Sequence, residues 1–543
     1  MSALLLQDYG ARRAETQPSD VALVMEHERI TYRELEADSN RLGRFLTERG
    51  CTPGDRICLF TPKSPSAIVA MHAILKAGAA YVPIDPASPA PRIAKIMESA
   101  EPRLVLAAAA GAPVIDELAA AGGLNVEVGS LEARPITGEH FTSNFARTDW
   151  SALPSAPLER RGGPDSMAHI LFTSGSTGTP KGVVITHANV IAFVEWAVPH
   201  FGMRPSDRVS GHAPLHFDLS TFDIYGALAA GAELHLVPPE LGIDPHGLAA
   251  FIRRSRLNQW FSVPSALTYM AKFDAVEHDD FPALERLMWC GEVLPTPVLG
   301  YWMEKLPHVR FTNLYGPTEA TIASSYHAIA ERPADQSEPI PIGVPCAGEE
   351  LLVLDGERRS VRPGEVGEIF ISGVGLSPGY WRDEAKTNAA FVPDPRPGHE
   401  GRRIYRTGDL GRLSADGVFE FLGRTDSQIK SRGYRIELGE VESAVHEIAV
   451  VRECAVVGVQ TGGFEGTAIC CAYAPVEGLS LEPAHLRREL SRLIPPYMLP
   501  SRWREFDALP KNVNGKIDRR AIRERFEAEI SRAPAAASPA GAA

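Results

Sequence analysis

Ten residues, Thr173 to Gly182, read TSGSTGTPKG and stand between two apolar runs, Ile170–Phe172 and Val183–Ile185. That placement constrains the chain strongly, because one buried strand must end and another begin around a loop built on glycine. Gly175 and Gly178 permit tight turns and close backbone approach to a ligand. Successive backbone N–H groups in such a turn form a concavity that binds anions. The hydroxyls of Ser174, Ser176, Thr177 and Thr179 add donors, and Lys181 adds a mobile positive charge. The loop has the make-up of a polyphosphate cradle. It is not a P-loop, which needs Gly, four residues and then Gly-Lys-Ser/Thr opening a helix; here Pro180 precedes Lys181 and Gly182 follows. A Gly/Ser cluster alone would mark only a flexible linker, and the flanking apolar strands argue against that alternative.

At 543 residues the chain exceeds the size at which a single core stops growing, so at least two domains are expected. A net charge of −13 argues against general nucleic-acid or anionic-membrane binding. It leaves room for a phosphate ligand that needs only local cations. The seven cysteines (Cys51, Cys58, Cys290, Cys346, Cys454, Cys470 and Cys471) show no CxxC metal spacing. In a chain of this length they read as reduced core thiols of a cytoplasmic protein. The opening MSALLLQDYGARR has too short an apolar run for a signal peptide, and no uninterrupted apolar stretch is long enough to span a membrane.

Strand-like and helix-like segments alternate through the first three quarters of the chain. Leu59–Thr61 and Tyr81–Ile84 read as strands flanking a helical Ser66–Lys76; Val183–Thr186 leads into a helical Val190–Ala197; Glu233–Val237 is another strand. The pattern is that of α/β sheets with helices on their faces. The character changes after Gly423. Val441, Ala444, Val445 and Ile448 share one helical face, Ala455–Val459 and Ala468–Ala474 read as strands, and Pro483–Leu493 as a helix. That is a small α+β unit. The Ala/Pro-rich end from about Arg532 reads as a disordered tail.

Several ordered motifs carry a resemblance over most of the chain. They are LKAGAAYVPIDP (75–86), the glycine-rich loop, NLYGPTEAT (313–321), GEVGEIFISGVGLSPGYW (364–381), YRTGDLGR (405–412), GRTDSQIKSRGYRIELGEVE (423–442) and NGKIDR (514–519). Together they closely resemble the ANL superfamily, in particular the amino-acid adenylation domains of nonribosomal peptide synthesis. The resemblance implies an α/β fold with a large multi-sheet N-terminal adenylation domain (1–425), a small mobile α+β C-terminal domain (426–531) and the tail (532–543). It implies that a carboxylate attacks the α-phosphorus of ATP, pyrophosphate leaves, and a carrier thiol then displaces AMP. Such chemistry is mostly positioning and electrostatic stabilisation.

The same resemblance implies roles for individual residues. Thr173, Ser174, Ser176, Thr177 and Lys181 would meet ATP, with Ser174, Thr177 and Lys181 on the β- and γ-phosphates. Gly291 would approach the nucleotide, Tyr315 cover the adenine, Thr318 touch the α-phosphate and Glu319 hold Mg²⁺. Asp409 would accept the ribose hydroxyls, with Arg424 close to the nucleotide. Lys516 would reach the substrate carboxylate and α-phosphate, as suits a compact charge on a flexible stem. Thr318, Glu319 and Lys516 form the expected catalytic set, and Asp426 the expected hinge.

The segment HFDLSTFDIYG (216–226) makes the substrate class readable. Asp218 falls where amino-acid-activating members pair an aspartate with the α-ammonium group; capping the following helix is its ordinary alternative, with Ser220 and Asp223 competing for similar roles. The remaining pocket positions carried over are Leu219, Phe222, Ser262, Met288, Cys290, Leu314, Ile322 and Ala323, with Lys516. That wall is apolar and has no second charge for an acidic or basic substrate. Leu219, Phe222 and Leu314 resemble alanine-activating pockets, so a small neutral, alanine-like amino acid is expected. The Asp-Leu start is shared with proline-activating stand-alone enzymes, which makes proline the alternative. An acyl- or aryl-CoA synthetase is a further one, although Asp218 argues against it. Cys290 reads as a neutral pocket thiol, and His212, His216 and Asp218 only loosely resemble a metal set.

The residues after Lys516 are too few for a fused carrier domain, and no upstream HHxxxDG motif is present. The expectation is a stand-alone ligase that loads a separate phosphopantetheinylated carrier protein in natural-product biosynthesis, with ATP and Mg²⁺ as cofactors and with neither nucleic acid nor membrane as partner.

Overall fold

The apolar runs on either side of the glycine-rich loop are neighbouring strands of one sheet. Met167–Thr173 and Lys181–Thr186 pair antiparallel, with Thr173 opposite Lys181. In this computed structural model the described residues are 4–175, 178–461, 466–476, 481–512 and 516–532. Ser176 and Thr177, Asn514 and Gly515, and the tail from Ala533 therefore lie outside the described residues.

The chain is mixed α/β and divides into two compact units. The first comprises Met1–Pro86, Ile93–Thr173 and Lys181–Thr425, and the second Ala87–Arg92, Ser174–Pro180 and Asp426–Ala543. The first unit holds three sheets. One has seven strands in the order Gly379–Tyr380, Lys181–Thr186, Met167–Thr173, Ala80–Pro83, Arg56–Phe60, Leu104–Ala107 and Glu127–Ser130. From Met167–Thr173 outward the neighbours are parallel. Every residue of Ala80–Pro83 and Leu104–Ala107 is buried, as in parallel strands covered on both faces. The helix Pro65–Lys76 that follows Arg56–Phe60 starts cleanly, because Ser64 accepts from the Ala67 amide and Pro65 takes the first helical position.

The nine-stranded sheet positions most of the site. Within it Arg310–Tyr315, Arg286–Cys290, Gln259–Ser262, Arg208–Gly211, Glu233–Leu236 and Val21–Met25 lie side by side, each parallel to the next. Their carboxyl ends, among them Gly211, Ser262, Cys290 and Tyr315, face the same way. The third sheet is antiparallel: Glu349–Leu354, Gly367–Gly373, Arg403–Leu413 and Phe391–Pro393 in order, with Phe419–Arg424 also on Arg403–Leu413.

The second unit contains a ribbon, Gln428–Ser431 with Tyr434–Glu437, and a three-stranded sheet of Val451–Gln460, Thr467–Pro475 and Arg502–Glu505. Its helix Leu438–His446 buries Val441, Ala444 and Val445 against that sheet. All seven cysteines are buried, and none is in a disulfide among the described residues. No described helix is long and apolar enough to cross a membrane.

Candidate active site

Ligands of open α/β sheets bind outside the carboxyl ends of the parallel strands, and the carried-over acid-pocket residues gather there. Met288 and Cys290, two apart on one strand, share a face, and Cys290 lies opposite Leu314 on the next. Leu219, Phe222, Met288, Cys290, Leu314, Ile322 and Ala323 are all buried in one apolar cluster. The Cys290 thiol points at Ile322 O, 3.7 Å away. Thr321 and Ile322 have left-handed backbones, with φ of 56° and 71°, which β-branched residues adopt only when the surroundings force them. Thr321 Oγ1 holds that turn by donating to Gly375 O at 2.6 Å, and Ser324 N by donating to Tyr315 O at 2.7 Å.

Ser262 ends its strand fully buried, its Oγ 3.2 Å from His212 Nδ1. Burial first, and then the charge of Lys63, pulls the His212 imidazole down to about 3, so the ring is neutral. Asp218 stands at the start of the helix Leu219–Ala230 but has helical dihedrals, φ −62° and ψ −26°, and its side chain makes no capping bond. The helix-cap alternative has no geometry behind it. Ser220 Oγ instead donates to Phe217 O at 2.6 Å, and Asp223 is fully buried.

On the nucleotide side, Tyr315 ends the neighbouring strand. Its hydroxyl donates to Asp409 Oδ2 at 2.6 Å, while Arg424 pairs with the other carboxylate oxygen and donates to Thr407 O at 3.0 Å. Asp409 and Arg424 are direct cross-strand partners. Burial, and next the Asp409 carboxylate, hold the Tyr315 phenol well above its usual range. Glu319 lies fully buried in the 3-10 turn Thr318–Ala320, with Thr318 half-buried at its opening. Tyr380 donates to Glu319 Oε1 at 2.7 Å, and Lys181 Nζ stands 3.4 Å from the same oxygen and 4.9 Å from the Tyr380 ring centre. Tyr380 was not singled out in sequence, although it sits in the GYW that closes a quoted motif. Gly291, just beyond Cys290, has φ of +100°, open to glycine and strained for other residues.

Thr173 Oγ1 is buried without a hydrogen-bond partner among the described residues. Within the second unit, Gly178 N closes a turn on Gly175 O at 3.0 Å, and Ser174 Oγ donates to Arg435 O at 2.6 Å. Asp426, first residue of the long segment of that unit, accepts from Gln428 N at 3.1 Å. Lys516 is exposed, its backbone clasped by Asn512: Lys516 N donates to Asn512 Oδ1 at 3.1 Å and Asn512 N to Lys516 O at 2.7 Å. Among the described residues no cluster of three His, Cys, Asp or Glu could hold a metal ion by itself.

Residues 10–381 match the family of AMP-binding enzymes, and residues 440–516 match the AMP-binding enzyme C-terminal domain. The chain is 36% identical over 513 residues to the L-proline--[L-prolyl-carrier protein] ligase of Pseudomonas fluorescens, covering 94% of this chain and 97% of that one. It is 35% identical over 511 residues to the protein of the same name from Streptomyces coelicolor, covering 91% of each. A solved NRPS protein containing adenylation and PCP domains, bound to a vinylsulfonamide inhibitor, superimposes with a TM-score of 0.79 at 28% identity, over 96% of this chain and 84% of that one.

Proposed function

Because the chain belongs to the family of AMP-binding enzymes and is a ligase, we propose that it adenylates an amino acid, L-proline in the first place, and passes the acyl group to the phosphopantetheine thiol of a carrier protein. The observation that carries the reading is Asp218 at the edge of a buried, uncharged wall at the carboxyl ends of the parallel strands. A zwitterionic amino acid brings one ammonium for Asp218. Proline's remaining surface is a compact apolar ring, which suits Leu219, Phe222, Met288 and Ile322. The alanine-like expectation finds no support in the relatives described above, and proline takes its place. A fatty or aryl acid would bring no ammonium to Asp218.

In the first half-reaction the substrate carboxylate oxygen forms a bond to the α-phosphorus, and the bond to pyrophosphate breaks. In the second the carrier sulfur, having lost its proton, bonds to the acyl carbon and AMP leaves. Magnesium arrives with ATP. Glu319 suits it as a single carboxylate ligand, because phosphate oxygens and waters complete the shell. Thr173, Ser174, Ser176, Thr177 and Lys181 serve the phosphates, Thr318 the α-phosphate, and Gly291 and Tyr315 the nucleoside. Asp409 already accepts from Tyr315 and Arg424, and a carboxylate has lone pairs left for a ribose hydroxyl. Lys516 supplies its charge to the reacting carboxylate, and Asp426 is the hinge. Buried thiols outside any disulfide suit the reducing cytoplasm.

ATP–pyrophosphate exchange over all proteinogenic amino acids tests the reading, followed by transfer of labelled proline to a phosphopantetheinylated carrier or to CoA. Proline is expected to give the highest exchange and the carrier to receive the label. Faster exchange with alanine removes proline, and label on CoA removes the carrier.

A further inference from the structure

Lys63 and Asp223 are buried groups of opposite charge that no part of the chemistry above uses. Lys63 lies in the turn between the strand Arg56–Phe60 and the helix Pro65–Lys76, on the seven-stranded sheet. Its ammonium leaves that sheet and donates to three successive carbonyls of the nine-stranded one: Gly211 O at 2.5 Å, His212 O at 2.7 Å and Ala213 O at 3.5 Å. Asp223, on the helix Leu219–Ala230, opposes its charge. The amides of His212 and Ala213 also attract that carboxylate, yet its oxygens receive no bond of hydrogen-bonding geometry from the described residues. Burial pulls the Lys63 ammonium down and pushes the Asp223 carboxyl up, each opposed by the other's charge.

The residues gripped in this way lead directly to Asp218. Beyond Gly211 the chain leaves its strand, so the ladder no longer fixes its carbonyls. Lys63 holds the start of the crossing, and Ser220 Oγ holds its end by donating to Leu215 O and Phe217 O. His212 also carries the ring that meets Ser262. We propose that Lys63 is a positioning residue for the amino-acid subsite, its ammonium gathering the carbonyls of residues 211–213 against Asp223 and so setting the approach of Asp218. The inference rests on the reading of Asp218 as partner of the substrate ammonium.

The test is a double-mutant cycle in the full chain, using whichever amino acid the parent activates best. Lys63→Met and Asp223→Asn are each measured alone and combined with Asp218→Ala, by ATP–pyrophosphate exchange. Displacing a positioned group by a fraction of an ångström raises the KM for the amino acid on the order of 10- to 100-fold, with the KM for ATP unchanged. Once Asp218 is gone, losing Lys63 adds little, because neighbours that act through one another are not additive. Lys63→Arg, which keeps a multiple donor, recovers most of the loss. Additive losses, parallel rises in both KM values, or an unchanged KM for the amino acid overturn the inference. If Lys63→Met fails to fold, Asp223→Asn carries the same cycle. A parent that activates no amino acid refutes the function; a working parent with indifferent variants refutes only this inference.

Discussion

Lys181 Nζ stands 3.4 Å from Glu319 Oε1, so the residue read in sequence as serving the phosphates and the one read as holding Mg²⁺ are ion-paired with each other. Glu319 is fully buried and the Lys181 side chain is only 11% exposed. Neither charge would sit there cheaply without its partner. The pair also joins two sheets, since Lys181 begins a strand of the seven-stranded sheet and Glu319 follows the end of Arg310–Tyr315 in the nine-stranded one. On the proposed reading Glu319 would hold the metal that accompanies ATP and Lys181 would meet a phosphate, while the Tyr380 hydroxyl orients the carboxylate.

Glu319→Gln is therefore expected to slow ATP–pyrophosphate exchange by about 10² to 10³, the range seen when one electrostatic contact to a transition state is removed. The KM for the amino acid should barely move. Exchange within a few-fold of the parent, at any Mg²⁺ concentration, would take Glu319 out of the reaction.

Asp218→Ala removes the partner proposed for the substrate ammonium. Breaking one side of a buried pair costs roughly 3–5 kcal/mol, so amino-acid activation should fall by about 10² or more. ATP affinity measured without the acid should remain that of the parent. Survival of activity with the same amino acid would return Asp218 to a structural role, despite the missing cap.

The parts legible in sequence were those written locally. The apolar runs on either side of the glycine-rich loop are strands, and the helix read as Ser66–Lys76 is Pro65–Lys76. Boundaries drifted at strands and helices alike. The strand read as Leu59–Thr61 is Arg56–Phe60, and the helix read as Val190–Ala197 runs from His187 to Phe201 behind a Thr186/Asn189 capping box. The pairings that finish the site were not legible. Tyr380 meets Glu319 across 61 residues of chain, and Lys63 meets Gly211 across 148. No spacing rule reaches that far. The Asp409–Arg424 pair, only 15 apart, needed the antiparallel register to bring it together.

Lys516→Ala should separate the half-reactions. The lysine is exposed on the second unit, and its proposed charge acts only while the carboxylate and α-phosphate react. Adenylate formation should nearly vanish, while transfer from supplied aminoacyl-adenylate to the carrier should persist. Equal loss of both steps would make Lys516 a folding or docking residue instead.

Glu349 gives the stability a pH dependence of unusual sign. Its Oε1 accepts from Gly375 N at 2.7 Å, and its Oε2 is buried with no partner among the described residues. Burial raises the carboxyl from an ordinary 4.5 to about 8, against the opposing Gly375 amide. The unfolded chain thus releases this proton near pH 4.5 and the native one only near 8. Between those values the native state binds more protons, so this group's contribution is complete below the lower value and declines as pH rises through the window. Glu349→Gln keeps the acceptor for Gly375 and removes the ionisation. Its melting temperature relative to the parent should be level at pH 5 and should climb by several degrees toward pH 8.5, read by calorimetry at matched ionic strength. Curves that stay parallel across that range would mean that the carboxylate is accommodated in its ionised form. The clamp on Gly375, and through it the strained turn at Thr321 and Ile322, would then work with a charge in place.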